Sequence, residues 1–222
     1  MLLTIDSLTF AYRTELVLRD IYCSVEAGEA VAILGRNGTG KSTLFKLLAG
    51  VLTNSTGVVK INGLFTEPHR RLDHIAWLPQ ESFLPPLLTT SQLLRLLPQP
   101  DDGLINLSTR PESRPLLGQR IGNLSVGERR FVELAIILNM KKPLLILDEP
   151  FTGLQPVTIQ FIAGVIRELT ARGHGLMVSD HQYSPVLEVC HRRMVLAGGA
   201  THDASPGKPG EHLLAGLYLP AQ

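Results

Sequence analysis

The stretch GRNGTGKS, Gly35 to Ser42, decides the fold. It follows AVAIL (30–34), a short unbroken apolar run of the kind that forms a strand buried on both faces. After it, Leu44, Leu47, Leu48 and Val51 fall at i, i+3, i+4 and i+7, which predicts an amphipathic helix. Strand, glycine-rich loop and helix in that order build a phosphate cradle of the form G-x-x-x-x-G-K-S/T. Gly35, Gly38 and Gly40 admit backbone conformations closed to residues with a Cβ and turn successive amides around phosphates. Lys41 reaches the β and γ phosphates as a point charge, and Ser42 offers a hydroxyl to Mg2+. The whole segment, with Arg36, Asn37, Thr39 and Thr43, is the candidate nucleotide-binding loop. By itself it specifies phosphate binding and does not separate kinases, GTPases, helicases and transporters.

Upstream of the loop the chain reads as β structure. LTIDSLTFAY alternates in polarity, and VLRDIYCSV resumes after a polar Arg-Thr-Glu turn. Downstream, VVKING reads as a strand ending in an Asn-Gly turn, and HIAWLP as a strand closed by Pro79. Residues 80–124 change character, rich in Leu, Pro, Ser and Gln. Within them LLTTSQLLRLL predicts a short helix with Leu93, Leu94, Leu96 and Leu97 on one broad face, and residues 98–115 read as loop. An α/β rhythm then returns, with a helix over 127–139, strand LLILD, a helix over 156–171, strand GLMVSD, a helix over 183–191 and strand RMVLAG. In the tail only HLLAGLYL has helical character. The expected architecture is α/β, with a nucleotide-binding core and β subdomain over 1–79 and 125–200. A short helical subdomain covers 80–124, and a C-terminal tail covers 201–222.

Composition narrows the role. The 222 residues, 44% apolar and 18% charged, suffice for one large domain with a real core. A net charge of +1 exerts no global pull toward nucleic acid or an anionic bilayer, so no nucleic-acid partner is expected. Cys23 and Cys190 are far apart and lack C-x-x-C spacing, so buried thiols in a reducing compartment are the plain reading. MLLTIDSLTF carries acid where a signal peptide would carry base, and no apolar run approaches the ~20 residues a membrane span needs. A soluble, cytoplasmic protein is expected, with any membrane role reached through a partner.

Three further features bear on chemistry. LLILDEP carries Asp148 to the end of a buried strand, where it can act on a Mg2+ shell. Glu149 beside it can polarise a water against a γ-phosphate, although two adjacent carboxylates can also be surface charge. His181, ending GLMVSDH, faces the crevice of an open α/β sheet, as either a structural histidine or a phosphate sensor. Finally, LSVGERR (124–130) places Ser125 and Gly127 just ahead of an apolar helix, where first-turn amides can bind an anion.

Assembled, these residues resemble the nucleotide-binding subunits of ABC transporters over nearly the whole chain. GRNGTGKS resembles the family's Walker A and LLILDE its Walker B, with Glu149 at the catalytic glutamate and Asp148 at the metal-side carboxylate. Gln80 resembles the Q-loop glutamine, His181 the switch histidine, and Tyr12 the aromatic that stacks on adenine. LSVGE resembles the signature LSGGQ, and TGLQ (152–155) stands where the D-loop SALD is expected. Local phrasing such as WLPQE and LS-x-GERR resembles the ATPases of lipopolysaccharide export and branched-chain amino acid import.

The resemblance implies a P-loop NTPase core with a mixed sheet, ATP and Mg2+ as ligands, and a head-to-tail homodimer or heterodimer. Each ATP would lie between one subunit's Walker A and the other's Ser125 and Gly127, with Ser42, Gln80 and Asp148 about the metal. It further implies an integral membrane permease as partner and a peripheral place on the cytoplasmic face of the cell membrane. Two alternatives stand beside it: a cassette that hydrolyses weakly and serves a regulatory or structural role, and a soluble non-transport protein of the same type. This chain departs from the family pattern at Val126 for Gly, Gln155 for Asp, and Ile136 for Arg, and in its shortened insert. A β-branched residue at positive φ would be an outlier, whereas at ordinary φ Val126 adds only bulk. An active but slower ATPase is the expectation.

Overall fold

The computed structural model describes residues 1–97, 104–107 and 113–218. AVAIL forms β3 (Ala30–Leu34), buried at every position. Its side chains alternate between two cores: Ala30, Ala32 and Leu34 enter one, Val31 and Ile33 the other. The neighbouring strands β7 (Leu144–Asp148) and β8 (Gly175–Ser179) divide their residues the same way. With β6 (Ile75–Leu78) and β9 (Arg192–Ala197), these strands form a parallel sheet in the order β9-β3-β8-β7-β6.

A second, antiparallel sheet has the order β2-β1-β4-β5. It comprises β1 (Leu3–Tyr12), β2 (Glu15–Val25), β4 (Thr56–Ile61) and β5 (Leu64–Phe65). Ile61 pairs with Leu64 around the expected Asn-Gly turn. This sheet and helix α1 (Lys41–Leu48) close the core that Val31 and Ile33 enter. Helices α4 (Val126–Leu138), α5 (Pro156–Ala171) and α6 (Tyr183–Val189) cover the other face of the parallel sheet. This is the α/β architecture expected from the sequence.

Several local expectations change. Val51 lies beyond α1 and is 54% exposed. The helix ends at Gly50 (φ +75), whose N–H donates to Leu47 O while Val51 N–H donates to Lys46 O, a left-handed terminus that stops the helical repeat. Helix α2 (Thr90–Leu96) starts at a Thr89–Gln92 capping box, but Leu96 is 71% exposed, so the apolar face is narrower than the leucine count suggests. The loop expected over 98–115 lies largely outside the described residues, and Arg114 and Pro115 open a short α3 (Arg114–Leu117) instead. A strand that the sequence did not suggest, β10 (Ala200–Asp203), adds antiparallel to β9 after a Gly198–Gly199 turn. Helix α7 (Glu211–Tyr218) occupies the helical part of the tail. Cys23 is free and buried, and burial pushes its thiol up to about 11. Among the described residues no helix is long and apolar enough to cross a membrane.

The ends of α4 and α5 contrast. Ser125 Oγ accepts from Glu128 N–H at 3.3 Å, and Glu128 Oε2 accepts from Ser125 N–H at 2.8 Å, a reciprocal cap. Val126 opens α4 and is not among the residues with positive φ. Gln155 precedes Pro156 in extended conformation and caps α5 with no side-chain hydrogen bond. Gln155→Asp should therefore stabilise the fold by about 1 kcal/mol, raising Tm by about 2–4 °C; calorimetry showing no rise would refute the missing cap. Val126→Gly should cost up to about 1 kcal/mol in chemical denaturation, whereas a gain would reveal strain at the valine.

Candidate functional site

The polar groups collect where the parallel strands end. Gly35 follows β3, Gln80 stands two residues beyond β6, Glu149 follows β7, and Asp180 and His181 follow β8. Gly35, Arg36, Asn37 and Lys41 line a cleft of ≈ 400 Å3 together with Asp180, His181 and Tyr183. Lys41 Nζ donates to Gly35 O at 2.7 Å and to Arg36 O at 3.1 Å, so the lysine also braces the loop it serves. Thr39 Oγ1 donates to Arg36 O at 2.9 Å and closes the loop further. Burial lowers the Lys41 pKa, against an opposing pull from the Asp148 and Glu149 carboxylates. Gly40 caps α1, whose first turn carries Ser42 and Thr43, both half-buried. Gly38 is exposed at the loop tip.

Asp148 is buried, and its Oδ1 accepts from Ser179 Oγ at 2.6 Å. Glu149 takes a left-handed φ of 54°, uncommon for a residue with a side chain. Its N–H donates to Ser179 O at 2.6 Å. On the side-chain end, His181 Nε2 lies 3.2 Å from Glu149 Oε2, and Thr152 Oγ1 donates to the same oxygen at 3.5 Å. The pair is asymmetric in solvent: the His181 side chain is 50% exposed and that of Glu149 12%. A carboxylate held between a histidine and a hydroxyl, beside a lysine-bearing anion cradle, is placed to accept a proton from a water attacking a phosphate.

Not every expected residue lines the cleft. Tyr12 ends β1 with its ring edge against Phe10, centroids 4.8 Å apart, and is 44% exposed. Gln80 is exposed beyond β6, outside the lining. Ser125 and Gly127 also stand outside it, at the start of α4. The Ser125 hydroxyl accepts the helix cap and keeps its proton for a second partner. Gly127 packs on the loop after β7, where an added Cβ would fall 2.1 Å from Gly153 O. Val126 beside it is 65% exposed, so its bulk projects outward.

Two residues that the sequence did not mark belong to the framework. Asp180 Oδ2 accepts from Phe151 N–H and Oδ1 from Gln182 N–H, both at 2.8 Å, while burial raises its pKa. Arg130, buried on α4, donates to the carbonyl oxygens of Pro79, Asp148 and Glu149. Both sit inside stretches already of interest; the Asp180 bond to Gln182 N–H is the local turn an aspartate favours, but the bonds to Phe151 and to the carbonyl oxygens are remote in sequence.

The chain resembles known proteins over most of its length. The chain is 33% identical over 214 residues to "Lipopolysaccharide export system ATP-binding protein LptB" of Haemophilus influenzae, covering 89% of this chain and 88% of that protein. It is 32% identical over 229 residues to the protein of the same name from Escherichia coli K12, covering 95% and 92%. A solved structure described as the ATP binding subunit of an ABC transporter superposes with a TM-score of 0.82 at 27% identity, covering 100% of this chain and 96% of that one. The family model described as ABC transporter matches residues 18–152, and with it the chain belongs to the ABC transporter ATPase family.

Proposed function

We propose that the chain hydrolyses ATP as a head-to-tail dimer and drives transport through an integral membrane permease at the cytoplasmic face of the cell membrane. The observation that carries this reading is the placement of His181 and Glu149 3.2 Å apart, with His181 lining the same cleft as Lys41. The loop amides and Lys41 take the β and γ phosphates, and Tyr12 offers a ring to adenine. Ser125 and Gly127, outside that cleft, serve the partner subunit's nucleotide through the N-terminus of α4.

The metal site fits the same frame. Ser42, Asp148 and Gln80 would hold Mg2+ there, and the ion would neutralise charge on the transferred phosphate. The Asp148–Ser179 hydrogen bond keeps the carboxylate directed before any ion arrives. Glu149 then accepts the proton of the attacking water at Oε2, and His181 Nε2 orients that oxygen. Closure of the dimer depends on the third phosphate, so hydrolysis removes the reason to stay closed. Residues 80–124, read as a helical subdomain, would carry that motion to the permease.

For the cargo, the names of the relatives favour lipopolysaccharide export. Purifying the protein from membranes and identifying the copurifying subunit tests this directly; a permease of another class would redirect it. A second reading, a cassette that binds ATP but turns over slowly, draws on the exposed Val126 at the shared half-site. Glu149→Gln should lower kcat about 10²–10⁴-fold and leave an ATP-bound dimer detectable by size exclusion. If Glu149→Gln turns over at the parent rate, Glu149 is not the base; a parent rate already at background supports the second reading. Lys41→Ala should abolish nucleotide binding in an equilibrium assay, and retained affinity would remove Lys41 from the phosphate site.

A further inference from the structure

We propose that Arg130 is a positioning residue that aims Glu149 by gripping the backbone of the two strands flanking the site. The proposal rests on the reading of Glu149 as the hydrolytic base.

The guanidinium of Arg130 is spent almost entirely on main chain. Nε and Nη2 donate to Glu149 O at 3.2 and 3.0 Å, and Nη2 also donates to Asp148 O. Nη1 donates to Pro79 O at 2.8 Å and to Glu133 Oε2 at 3.0 Å. Leu78 of β6 pairs with Leu147 of β7, so Pro79 and Asp148 are the next residues of adjacent strands, and one planar group ties both tips. Arg130 and Glu133 are 5% and 2% exposed.

A buried ion pair is a weak source of stability, because desolvation consumes much of the attraction. Glu133 Oε1, moreover, makes no hydrogen bond among the described residues. The arrangement makes more sense as geometry. Glu149 holds a left-handed φ of 54°, and Pro150 follows it, which further narrows the conformations open to the residue before it. Such a backbone persists only where its surroundings over-determine it. Here the peptide on its N-terminal side is held by Ser179 O, and its own carbonyl by Arg130. Releasing the second clamp lets the carboxylate swing away from His181.

A lysine at 130 would keep the charge but lose the fork that reaches several carbonyls at once. The test compares Arg130→Lys and Glu133→Gln in the purified protein, each with Glu149 and with Glu149→Gln. Steady-state ATP hydrolysis, equilibrium ATP binding and thermal unfolding are measured for each. Arg130 is outside the cleft lining, so Arg130→Lys should lower kcat about 10- to 100-fold while leaving ATP affinity within about two-fold. Glu133→Gln should act in the same direction but less. In the Glu149→Gln background neither change should lower the residual rate further, because the group being aimed is gone.

A kcat within about two-fold of the parent for Arg130→Lys overturns the proposal. So does an equal loss in both backgrounds, or a loss of rate matched by a loss of ATP affinity. Should Arg130→Lys fail to fold, Glu133→Gln, which keeps the guanidinium, decides by the same criteria. Glu149→Gln at the parent rate would bring down the base reading itself, an outcome that involves no change at Arg130.

Discussion

A parallel sheet buried on both faces leaves polar chemistry nowhere to go but its ends. β3, β7 and β8 are buried at every position and feed two separate cores. No charged side chain could be tolerated along them without a partner. The phosphate loop therefore begins, and the two carboxylates and the histidine lie, within two residues of where a strand stops. Convergence of the site follows from parallel direction: every C-terminal tip lies on one edge, and residues remote in sequence become neighbours.

The same constraint sets the electrostatics. Groups at a buried strand end are half out of water, so burial lowers the pKa of Lys41 and raises that of Asp180. Each is compensated locally, Lys41 by loop carbonyls and nearby carboxylates, Asp180 by two backbone amides. Asp148 takes its hydrogen bond from a serine one strand away. Side chains of this kind are directed before a ligand arrives, which reduces the reorganisation that binding and chemistry demand.

How far the sequence disclosed this varies with the kind of information involved. AVAIL, LLILD and GLMVS were legible because a doubly buried strand needs an unbroken apolar run. The loop after β3 was legible because glycine spacing and a lysine encode its conformation and charge locally. β10 was not: Ala-Thr-His-Asp is short, polar and weak in β propensity, and it is held by pairing with β9 rather than by its own composition. Leu96 matched the helical repeat but found no neighbour to bury it. Arg130 stayed hidden because a carbonyl oxygen has no sequence signature, and its partners lie 18 to 51 residues away. Whether Val126 is strained depended on one backbone angle, which only the helix start at that residue supplied.

The close approach of Gly127 to Gly153 bears on how the molecule can move. With backbone this near backbone, the first turn of α4 and the loop after β7 have no room to slide independently. They pack as one unit, and Arg130 ties the same helix to the strand tips behind it. The start of α4 and the Glu149 peptide are therefore joined by short, direct contacts with little slack between them. A cassette built this way behaves less like two sites exchanging messages than like one lever with two working ends.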